Sequence, residues 1–384
     1  MKKTKVLHYI DSLDPGGAET IVMNYALLID RQQIDMTIVC HDRKGTPYEA
    51  ILSSAGVRVI YMSDYLHLKK LCKHYIVRRY FHKSGLDKYI LRHIFHKEKP
   101  DIIHTHLRCN EIIKFAVDGT DCKILHTVHS QPSAYWNNKT AIAQNDFKAC
   151  TYLVEKKHMQ LIALHDGMRQ ELNELFHVND TLVFNNGVNF DKFKISETKE
   201  SIRNSLGIPN SKFVVGHVGR FVPVKNHDLI IESFKKLSEL RDNAHLLLVG
   251  QGPLRPAIEK KIEEYGLKEN VTILDPRNDI PRILKAMDVF LLPSLWEGLG
   301  IVLVESQTMG IYSIASSNVP ADTVFSNLVL RMPPDADAAA WAKAIHSAPQ
   351  LTPEYHGIEN WNMKKIVKDL EALYQNSALE RIAK

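Results

Sequence analysis

A short apolar run, a glycine-containing loop and a helix-like stretch follow one another from Val289 to Gly310, in the sequence VFLLPSLWEGLGIVLVESQTMG. The run Val289 to Leu292 has the length and composition of a strand buried on both faces. Gly298 and Gly300 allow the backbone to approach a ligand closely, and exposed amides at the start of the following helix attract phosphate. The stretch therefore predicts a β-α unit with a ligand at the end of its strand.

The same alternation of short apolar strands and longer amphipathic stretches extends over the rest of the chain. It favours parallel sheets covered by helices on both faces, with ligands beyond the carboxyl ends of the strands. The fold class is therefore predicted to be α/β. The predicted strands are Val6 to Ile10, Met36 to Cys40, Val57 to Met62, Ile102 to Thr105, Ile124 to Val128 and Gln160 to Leu164, then Phe213 to Val218, His245 to Val249, Val271 to Leu274, Val289 to Leu292 and Tyr312 to Ala315.

A polar turn interrupts the alternation at Asn185 to Lys194, where the sequence reads NNGVNFDKFK. We place a domain boundary there, between a first domain of residues 1–186 and a second of residues 187–360. The last stretch, about residues 361–384, has helical spacing of apolar residues and could cross back to the first domain. Both domains are predicted to be doubly wound, and the cleft between them is the expected site.

The composition is that of a globular protein, with 45% hydrophobic and 24% charged residues in 384. The apolar run in MKKTKVLHYIDSL breaks at His8 and stops at Asp11, which is too short for a signal peptide. No stretch approaches the roughly 18 apolar residues of a spanning helix, so we expect a cytoplasmic protein with at most peripheral membrane contact. The five cysteines lack CxxC spacing, which indicates reduced thiols and no zinc site.

Charged residues follow two of the predicted strands in the second domain. Glu297 and Glu305 stand eight positions apart around the start of a helix, and their carboxylates can accept hydrogen bonds from sugar hydroxyls. Arg220 and Lys225, in VGRFVPVKNH, leave the end of the strand at Phe213 to Val218, and both can pair with diphosphate oxygens. Either pair alone could be surface charge, but together they indicate a site for a sugar and a diphosphate.

Three further segments bear on the ligand. Gly16 and Gly17, in DPGGAET, let phosphates approach closely, although a plain strand-to-helix turn has the same pattern. His129 closes the strand in KILHTVHS, where a neutral imidazole could hydrogen-bond a sugar hydroxyl. The turn GQGPLRP has Arg255 in place of the third glycine of GxGxxG, which argues against a nicotinamide or flavin fingerprint. The nearby histidines are interpreted as packing or loop residues: His104, His106 and His126.

These segments resemble the motifs of the family 4 glycosyltransferases over nearly the whole chain. EGLGIVLVE is similar to the E-x7-E signature, GRFVPVKN to the G-R-x(3 to 4)-K-N segment, and DPGGAE and GQGPL to two glycine turns of the family. GIYSIA departs from the usual G-x-P-V-I-A, which places the chain in a divergent branch. The resemblance implies the GT-B fold, with two Rossmann-like domains facing a central cleft, and a retaining transfer without metal or other cofactor.

The resemblance also implies roles for individual residues. Glu297 would hold hydroxyls of the donor sugar together with His129, and Glu305 would bind the donor ribose. Arg220 and Lys225 would neutralise the charge of the departing diphosphate. The remaining contacts are assigned to the turn at Gly16 and Gly17, to the helix start at Gly298, Leu299 and Gly300, and to Arg277, whose segment ILDPRNDIP resembles the loop that contacts the nucleotide base.

A basic segment runs from Leu66 to Lys99, with apolar and aromatic residues at helical spacing among Lys, Arg and His. Such a segment can lie on anionic lipid, although an amphipathic helix packed on the sheet with a solvated basic face has the same pattern. Family members that make capsule or exopolysaccharide use acceptors carried on polyprenyl diphosphate. We therefore predict docking at the inner face of the plasma membrane through this segment, and we expect no binding to nucleic acid.

The sequence therefore predicts a metal-independent, retaining glycosyltransferase of surface polysaccharide synthesis. The donor would be a nucleotide diphosphate sugar, a uridine diphosphate sugar by default, and the acceptor would be a polyprenyl-diphosphate-linked saccharide, an oligosaccharide or a polysaccharide. No DxD pair stands at a strand end of the first domain, which supports metal independence. No nucleophile is evident, which favours a front-face displacement. A catalytically silent binding protein of the same fold and a sugar-nucleotide epimerase are the alternatives.

Overall fold

The computed structural model of the chain describes residues 3–65, 85–108, 111–137 and 140–382. The chain divides into two compact units, each built on a parallel sheet. The first unit consists of Met1–Asn186 together with Met363–Lys384, and the second of Gly187–Asn362. The chain therefore leaves the first unit at the polar turn and returns to it for the last helix.

Seven strands form the sheet of the first unit. They are β1 (Thr4–Tyr9), β2 (Ile34–Cys40), β3 (Arg58–Tyr61), β4 (Ile102–His106), β5 (Lys123–Thr127), β6 (Gln160–Ala163) and β7 (Leu182–Val183). Their order is β3-β2-β1-β4-β5-β6-β7, and every pairing is parallel. The order reverses between β1 and β4, so the carboxyl ends of these two strands flank the position where doubly wound sheets bind ligands.

Helices cover this sheet between its strands. They are α1 (Gly17–Leu28), α2 (Pro47–Ser54), α3 (Leu86–Glu98), α4 (Glu111–Ala116), α5 (Pro132–Trp136), α6 (Ala141–Lys157) and α7 (Asp166–Phe176), with a 3-10 turn at Met62–Tyr65. Helix α2 shows why a helix starts where it does: Thr46 accepts a hydrogen bond from the amide of Glu49, and Pro47 occupies the first turn. Both features satisfy or remove amides that have no partner inside a helix.

Six strands form the sheet of the second unit. They are β8 (Phe213–Val218), β9 (Ala244–Val249), β10 (Val271–Leu274), β11 (Val289–Leu292), β12 (Tyr312–Ser316) and β13 (Val329–Met332), in the parallel order β10-β9-β8-β11-β12-β13. The helices are α8 (Lys199–Ser205), α9 (His227–Leu240), α10 (Arg255–Glu264), α11 (Ile280–Lys285), α12 (Ile301–Thr308) and α13 (Ala338–His346). Short 3-10 turns lie at Phe190–Phe193, Pro223–Lys225, Lys268–Asn270, Ala321–Thr323 and Ile358–Trp361. Here the strand order reverses between β8 and β11.

The continuous apolar run of β9 reflects burial on both faces of the second sheet. Leu246 and Leu248 belong to a core with α9 and α13, whereas Leu247 and Val249 belong to a second core with α11 and α12. Because side chains alternate between the two faces of a strand, only a sheet covered on both sides buries every residue of such a run.

Helix α14 (Met363–Ile382) packs into the core of the first unit. Its buried side chains Met363, Ile366, Leu370 and Tyr374 lie in the same cluster as residues of β1, β2 and α1. The return of the chain therefore completes a core that the first 186 residues begin. None of the helices in the described part of the chain is long and apolar enough to span a bilayer.

Two observed strands have no counterpart among the predicted ones. β7 contains only Leu182 and Val183, and β13 (Val329–Met332) has no fully buried residue. Both lie at a sheet edge, where one side needs no partner strand and a long apolar run is not required. The helix predicted at Arg282 to Met287 begins and ends two residues earlier, as α11.

Candidate functional site

The loop after β11 ends at Gly300, which starts helix α12. Gly300 has φ of 79°, a left-handed conformation that strains any residue with a Cβ. A Cβ there would also lie 3.1 Å from Cγ1 of Val319. Leu299 is buried beside it, so this loop is held tightly at the amino end of the helix. Gly298, Leu299 and Gly300 thus form the tight entry to a helix that the sequence predicted.

The side chains of Glu297 and Lys225 form an ion pair in the second unit. The Lys225 ammonium donates to Oε1 of Glu297 over 2.5 Å, and the buried hydroxyl of Ser294 donates to the same oxygen over 2.6 Å. Lys225 follows β8 and Glu297 follows β11, the two strands between which the sheet order reverses. The structure therefore brings together two residues that the sequence had selected separately.

The other oxygen of this carboxylate, Oε2 of Glu297, accepts no hydrogen bond from the described residues. Only 12% of the Glu297 side chain and 17% of the Lys225 side chain are exposed, so water screens this ion pair weakly. Glu297 is thus a carboxylate held by one oxygen, with the second oxygen available to a ligand hydroxyl.

Arg220 stands at the carboxyl end of β8 with an exposed side chain. Its guanidinium forms no ion pair or side-chain hydrogen bond with any residue that the structure describes. Such a group has five donors for an anion in a fixed planar arrangement. Arg220 and Lys225 therefore place two cations after the same strand, one already paired and one not.

The turn GQGPLRP supports the loop that carries Arg220. The amide of Phe221 donates to the carbonyl of Gln251 over 2.9 Å, and the amide of Leu254 donates to the carbonyl of Phe221 over 3.1 Å. A Cβ on Gly250 would collide with the carbonyl oxygen of Gly219. The glycines of this turn are thus required for the contact between two backbone segments.

Glu305 lies in the second turn of α12 and is partly buried. Burial raises the pKa of its carboxyl from 4.5 to about 7, and the positive charge of Lys192 acts against this shift. Lys192 belongs to the 3-10 turn Phe190–Phe193 at the start of the second unit. Sequence reasoning missed Lys192, because it interpreted NNGVNFDKFK only as a domain boundary.

Arg277 does not extend freely from its loop. Its Nε and one terminal nitrogen donate to the two oxygens of Asp279 over 2.5 and 2.7 Å, and this contact lowers the pKa of the Asp279 carboxyl. A paired guanidinium retains donors that face away from its carboxylate. Arg277 is therefore oriented by Asp279 in the segment ILDPRNDIP.

In the first unit, Gly16 and Gly17 form the turn between β1 and α1. Gly16 is the residue before the helix, and its carbonyl accepts hydrogen bonds from the amide and the hydroxyl of Thr20. A Cβ on Gly16 would collide with the carboxylate of Glu19, whereas a Cβ on Gly17 would meet no atom within 4 Å. The Glu19 carboxylate is the far end of a flexible side chain, so packing requires neither glycine and leaves both open to a ligand.

His129 follows β5, and it belongs to a buried group of histidines. Its Nε2 lies 3.1 Å from Nδ1 of His106, while its Nδ1 is buried without a partner among the described residues. Burial lowers the pKa of His129 to about 3, so the ring is neutral at physiological pH. The structure therefore places a neutral imidazole, with one unused nitrogen, where the sequence predicted a ligand contact.

The nitrogens of His8, His104 and His106 lie close enough to one another to suggest a metal site. However, each of these six ring nitrogens already lies within 3.1 Å of a hydrogen-bonding atom of another side chain. A metal ion would need to displace several of these bonds. The group is therefore better described as a hydrogen-bonded network than as a metal centre.

The basic segment is described only in part, because residues 66–84 lie outside the described residues. In its remainder, α3, the side chains of Leu91, Ile94 and Phe95 are buried, and Leu86 and Tyr89 are 49% and 56% exposed. The ammonium of Lys88 and the guanidinium of Arg92 lie over the ring of Phe115. Helix α3 thus buries one apolar face and exposes a second face that carries basic and apolar residues.

Two doubly wound sheets, with carboxylates and cations at the order reversal of the second, are the arrangement of the GT-B glycosyltransferases. Residues 15–192 match the family model described as Glycosyltransferase Family 4, and residues 198–364 match the model described as Glycosyl transferases group 1. The chain is 30% identical over 311 residues to UDP-Gal:alpha-D-GlcNAc-diphosphoundecaprenol alpha-1,3-galactosyltransferase of Escherichia coli, covering 79% of this chain and 76% of that one. The chain therefore belongs to the family 4 glycosyltransferases.

Further relatives and solved structures agree with this family. EpsF of Bacillus subtilis, which is described provisionally as a glycosyltransferase, is 24% identical over 363 residues, 90% of this chain and 87% of that one. HepE of Anabaena, solved with UDP and glucose, has a TM-score of 0.71 at 18% identity, over 98% of this chain and 97% of that one. WaaG, a glycosyltransferase involved in lipopolysaccharide biosynthesis, has a TM-score of 0.69 at 16% identity over 97% and 98%. The predicted GT-B fold and the predicted enzyme class are confirmed.

Proposed function

We propose that this enzyme transfers a hexose or N-acetylhexosamine from a uridine diphosphate sugar to an acceptor carried on polyprenyl diphosphate, in the synthesis of a capsule or exopolysaccharide. The observation that carries the proposal is the group formed by Glu297, Lys225, Ser294 and the unpaired Arg220. It offers a carboxylate oxygen for a sugar and two cations for a diphosphate. The Escherichia coli relative is a UDP-Gal galactosyltransferase and HepE was solved with UDP and glucose, which favours uridine as the base.

The donor diphosphate is assigned to Arg220, to Lys225 and to the amides at the start of α12. The ribose is assigned to Glu305 and the base to the segment around Arg277. The transferred sugar is assigned to Oε2 of Glu297, which accepts no hydrogen bond from the described residues. In the first unit, Nδ1 of His129 is likewise without a partner among the described residues and is assigned to an oxygen of a ligand. A polar atom that the protein leaves unpaired is more favourable when a ligand pairs it.

Bond breaking leaves an oxocarbenium-like sugar and a diphosphate of high negative charge. Positioned cations that stabilise the charge of the diphosphate lower the activation barrier of the transfer, since these cations are already oriented before the reaction. Because Lys225 is held by Glu297, whose carboxylate Ser294 holds in turn, the ammonium loses little freedom when the donor sugar nucleotide binds. Two cations at this position support a transfer that proceeds without a divalent metal.

We assign the acceptor to the first unit and the stereochemistry to retention. A front-face displacement, in which the departing phosphate oxygen takes the proton of the acceptor hydroxyl, needs no nucleophile from the protein. Membrane attachment is assigned to the basic segment, of which α3 presents Leu86, Tyr89, Lys88 and Arg92. Exposed aromatic and basic residues on one helix face suit an anionic lipid surface.

Ligand-observed NMR with uridine, guanosine and adenosine diphosphate sugars, in the presence of a chelator, tests this function. We expect one uridine diphosphate sugar to bind, and we expect Glu305→Ala to abolish its binding. Glu239→Ala, which changes an exposed glutamate on α9, is the matched control and should bind normally. Failure of every donor to bind, or binding that requires a divalent metal, would overturn the proposed site.

Product analysis then separates binding from transfer. With the selected donor and a polyprenyl-diphosphate-linked acceptor, we expect a new glycosidic bond with the anomeric configuration of the donor. Donor binding without any product would indicate a binding protein of the same fold, and a converted sugar nucleotide without acceptor would indicate an epimerase. Trapping of a sugar on Glu297 would contradict the front-face displacement.

A further inference from the structure

Six side chains of the first unit form an unbroken chain of hydrogen bonds that ends at His129. We call it the imidazole chain. Its links, in order, are Thr127 Oγ1 to His104 Nε2 at 2.7 Å, His104 Nδ1 to Tyr374 Oη at 2.7 Å, Tyr374 Oη to His8 Nε2 at 2.9 Å, His8 Nδ1 to His106 Nε2 at 3.0 Å, and His106 Nδ1 to His129 Nε2 at 3.1 Å.

The register of the paired strands in the first sheet brings these residues together. His8 of β1 stands opposite His104 of β4, and Thr127 of β5 stands opposite His106. Tyr374 comes from α14, 366 positions after His8. The ring planes of His8 and His106 are inclined by 13° to each other, with centroids 5.2 Å apart, and Nδ1 of His8 lies 3.0 Å from Nε2 of His106.

All four imidazoles of the chain are neutral at physiological pH. Burial lowers the pKa of His8 and of His129 to about 3, and it lowers the pKa of His104 and of His106 well below the ordinary value. A neutral imidazole has one N–H donor and one bare nitrogen acceptor. Each ring must therefore accept at one nitrogen and donate at the other, and fixing one link fixes its neighbours.

Thr127 sets the direction in which hydrogen bonds are donated along the imidazole chain. Thr127 is 4% exposed, and the one hydrogen bond of its hydroxyl among the described residues is the link to His104. A buried hydroxyl that donates nowhere is unfavourable, so Thr127 donates to Nε2 of His104. His104 then carries its proton on Nδ1 and donates to the oxygen of Tyr374.

The remaining links follow from this one. Tyr374 has already accepted from His104, and its hydroxyl hydrogen goes to Nε2 of His8. His8 then donates from Nδ1 to His106, and His106 donates from Nδ1 to Nε2 of His129. The proton of His129 is thereby placed on Nδ1, the buried nitrogen without a partner among the described residues.

The opposite direction is less favourable because it leaves more groups unpaired. If every hydrogen bond of the imidazole chain were donated in the opposite direction, the hydroxyl hydrogen of Thr127 would have no acceptor among the described residues. Nδ1 of His129 would then be a bare acceptor without a donor. The direction derived above leaves only the N–H of His129 unpaired. A group at the end of such a chain is satisfied when a ligand supplies the missing oxygen.

We infer that Thr127 and Tyr374 fix His129 as an Nδ1–H donor, so that His129 donates a hydrogen bond to an oxygen of the ligand and does not act there as a general base. The inference rests on the proposed function only for the identity of that ligand, a sugar or acceptor oxygen. Tyr374, on the last helix of the chain, is then a positioning residue for a group at the end of β5. Its hydroxyl holds the tautomer of His129 through His8 and His106.

Long-range 1H–15N correlation spectra of protein labelled with 15N-histidine test this assignment, because protonated and bare ring nitrogens give separate signals. Single His→Gln variants at the four positions assign the spectra. We expect His8, His104, His106 and His129 to carry their protons on Nδ1 in the wild-type protein. A proton on Nε2 of His129 would overturn the inference, whether or not a donor sugar has been identified.

Tyr374→Phe tests the positioning role. Loss of the hydroxyl makes the two directions of the chain equally paired, so we expect two tautomers of His129 and a kcat lower by roughly tenfold, with the KM for the donor unchanged. Tyr25→Phe is the matched control, since Tyr25 is also buried near His8 and its hydroxyl bonds none of the described residues. Wild-type spectra and kcat in Tyr374→Phe would contradict the positioning role.

Thr127 offers a second test at the other end of the imidazole chain. Thr127→Ser keeps the hydroxyl and should keep both the Nδ1–H tautomer of His129 and the wild-type kcat. Thr127→Val removes the hydroxyl with little change of shape and should give mixed tautomers. If the serine and valine variants behave alike, Thr127 does not set the direction and the derivation fails.

Discussion

At the scale of single residues, the site of the second unit combines paired and unpaired charges. Lys225 is bound to Glu297, while the guanidinium of Arg220 has no partner in the part of the chain that the structure describes. Glu305 carries a carboxyl whose pKa is raised to about 7 by burial. Lys225 is ion-paired, Arg220 is not, and the Glu305 carboxyl has a raised pKa, so substitution of each residue should have a different measurable effect.

Removal of the Lys225 ammonium should affect the reaction more than donor binding. Lys225→Ala takes away a cation that we propose faces the leaving diphosphate, and it leaves the Glu297 carboxylate without its countercharge. We expect kcat/KM to fall by roughly 10²-fold to 10³-fold, measured by steady-state transfer kinetics. Lys236→Ala, at an exposed position of α9, is the control. Equal activities of the two variants would show that Lys225 has no part in the transfer.

The raised pKa of Glu305 makes stability depend on pH. The carboxyl titrates at about 7 in the folded protein and near 4.5 when unfolded, so the folded state binds more protons between these values. The protonated Glu305 carboxyl therefore contributes to the free energy of unfolding at low pH, and this contribution is lost as the pH rises from 4.5 to 7. Glu305→Gln should be more stable than wild type by about 1–2 kcal/mol at pH 8, after allowance for partial exposure, and about equal at pH 4.5.

Urea unfolding of wild type and Glu305→Gln at pH 4.5, 6 and 8 measures this difference. A gap in the free energy of unfolding that opens between pH 4.5 and 7 agrees with the raised pKa. A constant gap at all three pH values would show that the carboxyl titrates normally in the folded state.

At the scale of elements, the loops after β8 and β11 are shaped by backbone contacts more than by side chains. The turn at Gly250 packs on the backbone after β8, and Gly300 adopts a left-handed conformation at the start of α12. The loops can therefore hold their charged side chains before a ligand binds, which lowers the entropy lost on binding.

Gly300→Ala should destabilise the protein and weaken donor binding. The substitution combines the strain of φ at 79° with a contact of 3.1 Å to Val319, for which we expect a cost of about 1–3 kcal/mol. Gly207→Ala is the matched control, because Gly207 also has positive φ, at 70°, but no atom within 4 Å of an added Cβ. Urea unfolding and donor titration should show loss of donor affinity in the Gly300 variant alone.

At the scale of the whole molecule, the first unit depends on a segment that is distant in sequence. Helix α14 contributes Met363, Ile366, Val367, Leu370 and Tyr374 to the core formed with β1, β2 and α1. Burial of each such side chain is worth about 1.5–3 kcal/mol, and the net stability of a domain is only about 5–15 kcal/mol. The first unit should therefore not be stable without its last helix.

Leu370→Ala tests this dependence without truncating the chain. Leu370 is 1% exposed, so we expect a loss of about 2–5 kcal/mol. Hydrogen exchange should accelerate in β1, β2 and α1 of the first unit and stay unchanged in β8 to β13 of the second. Lys368→Ala, at an exposed position of the same helix, should change neither. Faster exchange in the second unit alone would contradict the placement of α14.

The sequence by itself determined the α/β class and eleven of the strands, and it selected Glu297, Glu305, Arg220, Lys225 and His129 as site residues, whose roles stay predictions. These features are local, because apolar runs, glycine turns and charges at strand ends can be detected within a few neighbouring positions. The edge strands β7 and β13 were missed because they have little buried apolar surface. Positions 66–84, in the segment predicted to dock on membrane, lie outside the described residues, so that docking stays a prediction.

Only the tertiary structure decided which of these residues meet. The pair of Lys225 and Glu297 joins positions 72 apart, and the link of His8 to Tyr374 joins positions 366 apart. Such contacts depend on sheet order, strand register and helix packing, which no local pattern contains. In the sequence His104 and His106 therefore looked like separate packing or loop residues, and His8 like a break in an apolar run. The three became part of one hydrogen-bonded network when parallel strands placed their buried side chains in register.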